Sequence, residues 1–74
     1  MKLSEMAIGK YAVITAVKLQ EFYLNRLIKM GVSVGSKVKT MAKSPFGQTV
    51  EIKVKGVRLA LGKNIAEGIT VKYD

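Results

Sequence analysis

Between Thr49 and Lys55 the chain alternates strictly, with Val50, Ile52 and Val54 on one side and Glu51, Lys53 and Lys55 on the other. That period of two predicts a strand with one face in a core and one in water. Lys37–Lys43 repeats the pattern, with Val38, Thr40 and Ala42 on one face and lysines on the other. Ser44-Pro45-Phe46-Gly47-Gln48 lies between them, where proline presets φ and Gly47 tolerates a positive φ, so the two segments read as a hairpin. After Gly56, the residues Val57, Leu59 and Leu61 resume the alternation around Arg58 and Ala60 and predict a third antiparallel strand. Lys63–Glu67 reads as a single helical or 3₁₀ turn with Ile65 and Ala66 inward. Ile69–Tyr73 reads as a last strand with Ile69, Val71 and Tyr73 on one side.

Upstream, Tyr11–Val17 is rich in Val, Ile, Thr and Tyr and predicts a first strand whose two faces are both fairly apolar, as if a following helix covered the second. From Gln20 to Met30 the period changes to that of a helix. Leu24, Leu27 and Ile28 form its apolar stripe, Tyr23 and Met30 flank it, and Glu21, Asn25, Arg26 and Lys29 lie off it. Gly31 is placed to end the helix, and Val32 and Val34 are placed to pin the following Gly31–Gly35 loop onto the core. Five short strands and one helix in so small a chain predict a closed or nearly closed antiparallel barrel, because closure removes open edges, with the helix plugging one opening.

Composition narrows the chemistry. With 74 residues the chain is one domain, 1–74, and a domain this size buries only about 60% of its unfolded surface. It carries 13 Lys and Arg against 5 Asp and Glu, a net charge of +8, while 49% of its residues are hydrophobic, so it is a folded cationic domain rather than a basic tail. It has neither cysteine nor histidine. A disulfide framework, a His-assisted nucleophile and a zinc site with ordinary ligands are therefore excluded. The acids Glu5, Glu21, Glu51, Glu67 and Asp74 are scattered, with no metal-loop spacing and no phosphate loop beside them. The apolar run Tyr11–Val17 is too short to cross a bilayer and lacks the layout of an export signal, so a cytoplasmic protein without membrane insertion is expected.

The order of these signals carries a resemblance. A strand is followed by a helix ending Asn25-Arg26-Leu27-Ile28-Lys29-Met30-Gly31-Val32-Ser33-Val34-Gly35, then by a lysine-bearing hairpin with Ser44-Pro45-Phe46-Gly47 at its tip, and then by Gly56-Val57-Arg58-Leu59-Ala60-Leu61 ahead of Ala66 and Ile69-Thr70-Val71. In this the chain resembles the FeoA family, small partners of the ferrous-iron transporter FeoB, from about Leu3 to Val71. It departs from the family pattern at Val34 and Thr49, where proline is common, and at Gly62, where arginine often stands. The last change removes a candidate partner contact. The resemblance implies a mainly β fold, a small SH3-like five-stranded antiparallel barrel with one α-helix between the first and second strands. It also implies a non-catalytic role in ferrous iron uptake, exercised by binding the cytoplasmic GTP-binding domain of a FeoB-type transporter. Such folds host many functions, so the role must be argued from the surface.

Candidate contacts follow from exposure and charge. Phe46, at a turn tip with few neighbours in its own hairpin, is either a protein-protein anchor or a cover for the barrel end. Tyr23 and Met30 either seal the core or stand half exposed as an aromatic-methionine contact. Lys37, Lys39, Lys43, Lys53 and Lys55 are expected on one outer face, where they would steer an acidic partner or simply protect strand edges. Arg26 and Arg58, the only arginines, are further candidate partner contacts, and an arginine supplied in trans to a nucleotide site is the sharper alternative to an ordinary salt-bridge role. No cofactor, metal or small-molecule substrate is expected, because ferrous sites draw on His, Cys or clustered carboxylates. The alternative of a different class is a basic barrel that binds nucleic acid. Against it, the lysines of the outer strand faces are not interleaved with the aromatic residues that stack on single strands.

Overall fold

The computed structural model describes residues 1–74. The elements in chain order are a 3₁₀ turn at Leu3–Glu5, β1 (Tyr11–Val17), α1 (Glu21–Lys29), β2 (Lys37–Lys43), β3 (Thr49–Val54), β4 (Val57–Gly62), α2 (Lys63–Glu67) and β5 (Ile69–Tyr73). All strand pairs are antiparallel, in the order β4-β3-β2-β1-β5. The protein is thus mainly β, as the alternation predicted, with the long helix between the first two strands. The core is built from the inward positions of the strands: Ala12 and Ile14, Val38, Val50, Ile52 and Val54, Leu61, and Ile69 and Val71 are all buried.

One buried piece, the N-terminal 3₁₀ turn, was not read from the pattern, whereas α2 was read as a turn with Ile65 and Ala66 inward. Leu3 and Met6 are fully buried, set by the 3₁₀ turn in which the Lys2 N–H donates to the Glu5 carboxylate at 2.9 Å. Ala66 of α2 is fully buried as well, and α2 touches both the 3₁₀ turn and β4 and β5. These short elements fill the space expected for α1. The long helix therefore contributes only Leu27 to the core, while Leu24 is half-buried and Ile28 is 49% exposed. The expected Leu24, Leu27 and Ile28 core stripe is corrected to one residue. The second face of β1 is likewise uncovered, with Tyr11 and Thr15 exposed. Gly31 ends α1 at φ +91 and Val32 is fully buried, as read, but Val34 is exposed and pins nothing.

Register breaks redistribute the lysines. In β2 the pairing jumps from Thr40↔Ile52 to Ala42↔Glu51, so a bulge at Met41 turns Ala42 to the outer face and sets Lys43 opposite inward-facing Val50. The strand β3 ends at Val54, one residue earlier than its alternation suggests, because Lys55 and Gly56 form a two-residue turn at φ +50 and +78. Those angles define the type I′ turn whose twist matches the strands it joins. Val57 opposite Val54 and Tyr73 at the end of β5 continue the inward alternation past the rim and are about half exposed. The Tyr73 hydroxyl accepts from the Ala7 N–H at 3.0 Å, tying β5 to the N-terminal segment.

Thr40 is fully buried and its Oγ1 has no hydrogen-bond partner. A buried hydroxyl without a partner loses its hydration and gains nothing in return. Thr40→Val keeps the shape and removes that loss, so the variant is expected to be more stable by about 1 kcal/mol, read as a higher urea midpoint at unchanged slope.

Candidate functional site

One side of α1 faces the end of β4 across a groove of about 220 Å³. Tyr23, Arg26, Leu27 and Met30 line it from the helix, and Ala60, Leu61, Gly62 and Ile65 from β4 and α2. Helical spacing explains the helix side, because 23, 27 and 30 are one turn apart in succession and 26 flanks them. Only Leu27 reaches the core, which leaves Tyr23 and Met30 43% and 41% exposed on the groove walls. Small-molecule pockets commonly span about 300–1,000 Å³, so this groove is sized for one or two protruding side chains rather than a cofactor. Phe22 stacks edge-on to Tyr23 at 5.3 Å, and the Arg26 guanidinium sits 5.5 Å from the Phe22 ring centre, which steadies the helical lip.

The outer sheet face carries a second arrangement. Successive registers place Tyr11 opposite Lys39, Lys39 opposite Lys53, and Lys53 opposite Arg58, one cross-strand row over β1 to β4. The ammonium groups of Lys37 and Lys39 lie 5.2 and 5.3 Å from the Tyr11 ring centre. Arg58 Nε donates to Glu51 Oε1 at 2.6 Å and Lys37 Nζ to Asp74 Oδ2 at 2.6 Å, both on the surface. The hydrogen bond to Asp74, and next its charge, hold the Lys37 ammonium above its ordinary range. A raised lysine adds stability below its unfolded pKa and loses it only as pH climbs through the higher folded value, so Lys37 stays charged at neutral pH.

The expected lysine patch is therefore smaller than its sequence suggests. Lys39 and Lys53 are adjacent and Lys37 is nearby, whereas the bulge removes Lys43 from the row. Lys55 leaves it too, because the turn lays its stem against Gly31, with Cδ 3.2 Å from where a Cβ there would stand. Phe46 is 87% exposed at the β2–β3 tip and lines neither the groove nor the row. Tyr23, Arg26 and Met30 converge, and Lys39, Lys53 and Arg58 converge, on two neighbouring surfaces that meet at β4. Ala60, Leu61, Gly62 and Ile65 were not read as site residues, since Leu61 and Ile65 carry the inward pattern and Ala60 and Gly62 have no side chain that signals contact. Gly62, the position at which the resemblance to the FeoA family implies arginine, forms part of the groove wall.

A wider hollow of about 480 Å³ between Gly9–Tyr11 and Tyr73–Asp74 is flanked by the Lys37–Asp74 pair, whose opposite charges cancel. No three acidic side chains converge to hold a metal ion, and no helix is long and apolar enough to cross a membrane.

Comparison with known proteins places this surface in a family. The solution structure of the FeoA protein from Chlorobium tepidum superposes with a TM-score of 0.93 at 37% identity, covering 99% of this chain and 70% of that one. A crystal structure of an iron uptake regulatory protein (FeoA) has a TM-score of 0.85 at 26% identity, with 99% and 95% covered. The zinc complex of Stenotrophomonas maltophilia FeoA, described as a prokaryotic SH3 domain protein and put forward as a ferrous iron transport activating factor, has a TM-score of 0.82 at 29% identity, with 97% and 89% covered. No curated protein matches the sequence. The family model for the FeoA domain matches residues 1–73, and with its SH3-like barrel and the helix between the first two strands this chain belongs to the FeoA family.

Proposed function

We propose that this chain is a cytoplasmic, non-catalytic accessory protein of ferrous iron uptake that docks on the GTP-binding cytoplasmic domain of a FeoB-type transporter. The observation that carries the reading is the half-exposed apolar groove between α1 and β4, bordered by a row of cations. Monomeric proteins keep large side chains such as Tyr23, Met30 and Phe22 exposed together mainly where a partner covers them. The net charge of +8 raises the rate of encounter with an acidic surface, and the groove sets how long the complex lasts. Membership of the FeoA family and the transport role put forward for the Stenotrophomonas relative support the same reading.

Titration of the purified protein with the FeoB cytoplasmic domain tests it. Tyr23→Ala and Met30→Glu are expected to weaken binding at least about tenfold through faster dissociation, because both side chains stand on the groove walls. Lys39→Glu with Lys53→Glu is expected to slow association and flatten its salt dependence. Absence of binding by the unmodified protein, or equal binding by all variants, would refute the assignment.

A further inference from the structure

The two edges of the sheet are finished differently. The free side of β5 is closed by the start of the chain: the Val71 N–H donates to the Met1 carbonyl at 2.7 Å, the Met1 ammonium donates to the Val71 carbonyl at 3.1 Å, and Lys2 forms a bridge to Thr70. The other edge, β4, has no such cover. From the Val54–Val57 pair that closes the type I′ turn, hydrogen-bonded positions alternate along the hairpin. Val57, Leu59 and Leu61 therefore exchange bonds with β3, while the N–H and C=O of Arg58 and Ala60 point away from it. Neither residue's backbone makes a hydrogen bond to a turn, loop or cap. Folded proteins usually blunt such an edge, since it templates another strand.

The surroundings of this edge differ on its two faces. Toward the core side lies the apolar groove with Leu27, Leu61 and Ile65. Toward the outer side lies the row ending at Lys53 and Arg58, in which Glu51 already neutralises Arg58, so Lys53 and its neighbour Lys39 carry the unpaired positive charge. A strand added here would send alternate side chains to the groove and to the cations.

We propose that an extended segment of the partner, alternating apolar and acidic residues, adds to β4 as a sixth strand of the sheet. This deepens the docking reading above by naming the mode of recognition, in which backbone bonds supply affinity and alternate side chains supply specificity. A second copy of the chain is disfavoured as the occupant, because pairing two β4 edges would bring together two molecules of net charge +8.

The probe is an amidated heptapeptide alternating glutamate with valine or leucine, compared with its lysine counterpart. Amide hydrogen exchange of the free protein is expected to be fast at Arg58 and Ala60 and slow at Leu59 and Leu61. The acidic peptide is expected to slow Arg58 and Ala60 by at least about tenfold, and the lysine peptide to leave them unchanged. Ala60→Pro removes one outward donor at an edge position that tolerates proline and is expected to abolish peptide binding. Ala60→Val, of similar bulk but with its N–H, is expected to keep it. Should Ala60→Pro not fold, the exchange measurement on the unmodified protein decides. Equal exchange with and without the acidic peptide overturns the proposal, as does protection of β4 that grows with protein concentration alone. The FeoB domain, run as a separate arm, distinguishes the two readings. Domain binding without protection of Arg58 and Ala60 sinks strand addition alone, whereas peptide binding at β4 without domain binding sinks the transporter assignment alone.

Discussion

Leu3→Ala is expected to remove about 3 kcal/mol of stability, although the residue sits third in the chain and outside every strand. Its side chain is fully buried beside Met6, in contact with the core that α2 closes with Ala66. Truncation deletes that buried volume and leaves a cavity which the surrounding strands, tied by their ladders, fill only in part. A domain of 74 residues holds roughly 4–11 kcal/mol in total, so the variant keeps the fold with little margin. The melting midpoint should fall by about 12–24 °C. Ile8→Ala, in the same segment but 58% exposed, should stay within about 0.5 kcal/mol of the unmodified protein. A loss below about 1 kcal/mol for Leu3→Ala would mean that the N-terminal segment does not seal the barrel in solution.

The second large effect separates two isoleucines that the sequence presents as equivalent. Ile52→Ala is expected to cost about 4 kcal/mol, because Ile52 is completely buried at the centre of β3, between Thr40 and Leu59 in the register. Ile28→Ala is expected to cost less than about 0.5 kcal/mol, because Ile28 is 49% exposed and alanine is the better helix former. Paired urea titrations with unchanged slopes give both numbers. A cost above about 2 kcal/mol for Ile28→Ala would place the whole helical stripe in the core and close the groove beside it. The contrast bears on function, since a helix anchored only by Leu27 leaves Tyr23 and Met30 free to meet a partner.

The strands were legible because alternation is a local property. Each of the five was located to within a residue, and the bounds of α1 followed equally from the change of period and from Gly31. The bulges were not legible, since an extra residue in β2 is defined only by its partner in β3, and Ala42 and Lys43 change faces as a result. The 3₁₀ plug was not legible either. Leu3 and Met6 are two apolar residues with no period between them, and nothing local distinguishes them from an exposed pair. Among the candidate contacts, Tyr23, Arg26 and Met30 were named from helical spacing. Their partners Ala60, Gly62 and Ile65 lie some thirty residues or more away in sequence and became neighbours only through folding.

By itself the sequence determined the class of fold, the cationic surface and the absence of thiol and imidazole chemistry, because composition and periodicity are properties of single residues and their near neighbours. Tertiary structure alone decided which side of the helix is free, which lysines stand together and which edge of the sheet is left bare. Those depend on competition for one small interior. The 3₁₀ turn and α2 occupy the space that would otherwise bury α1, and what they displace is the surface available to another protein.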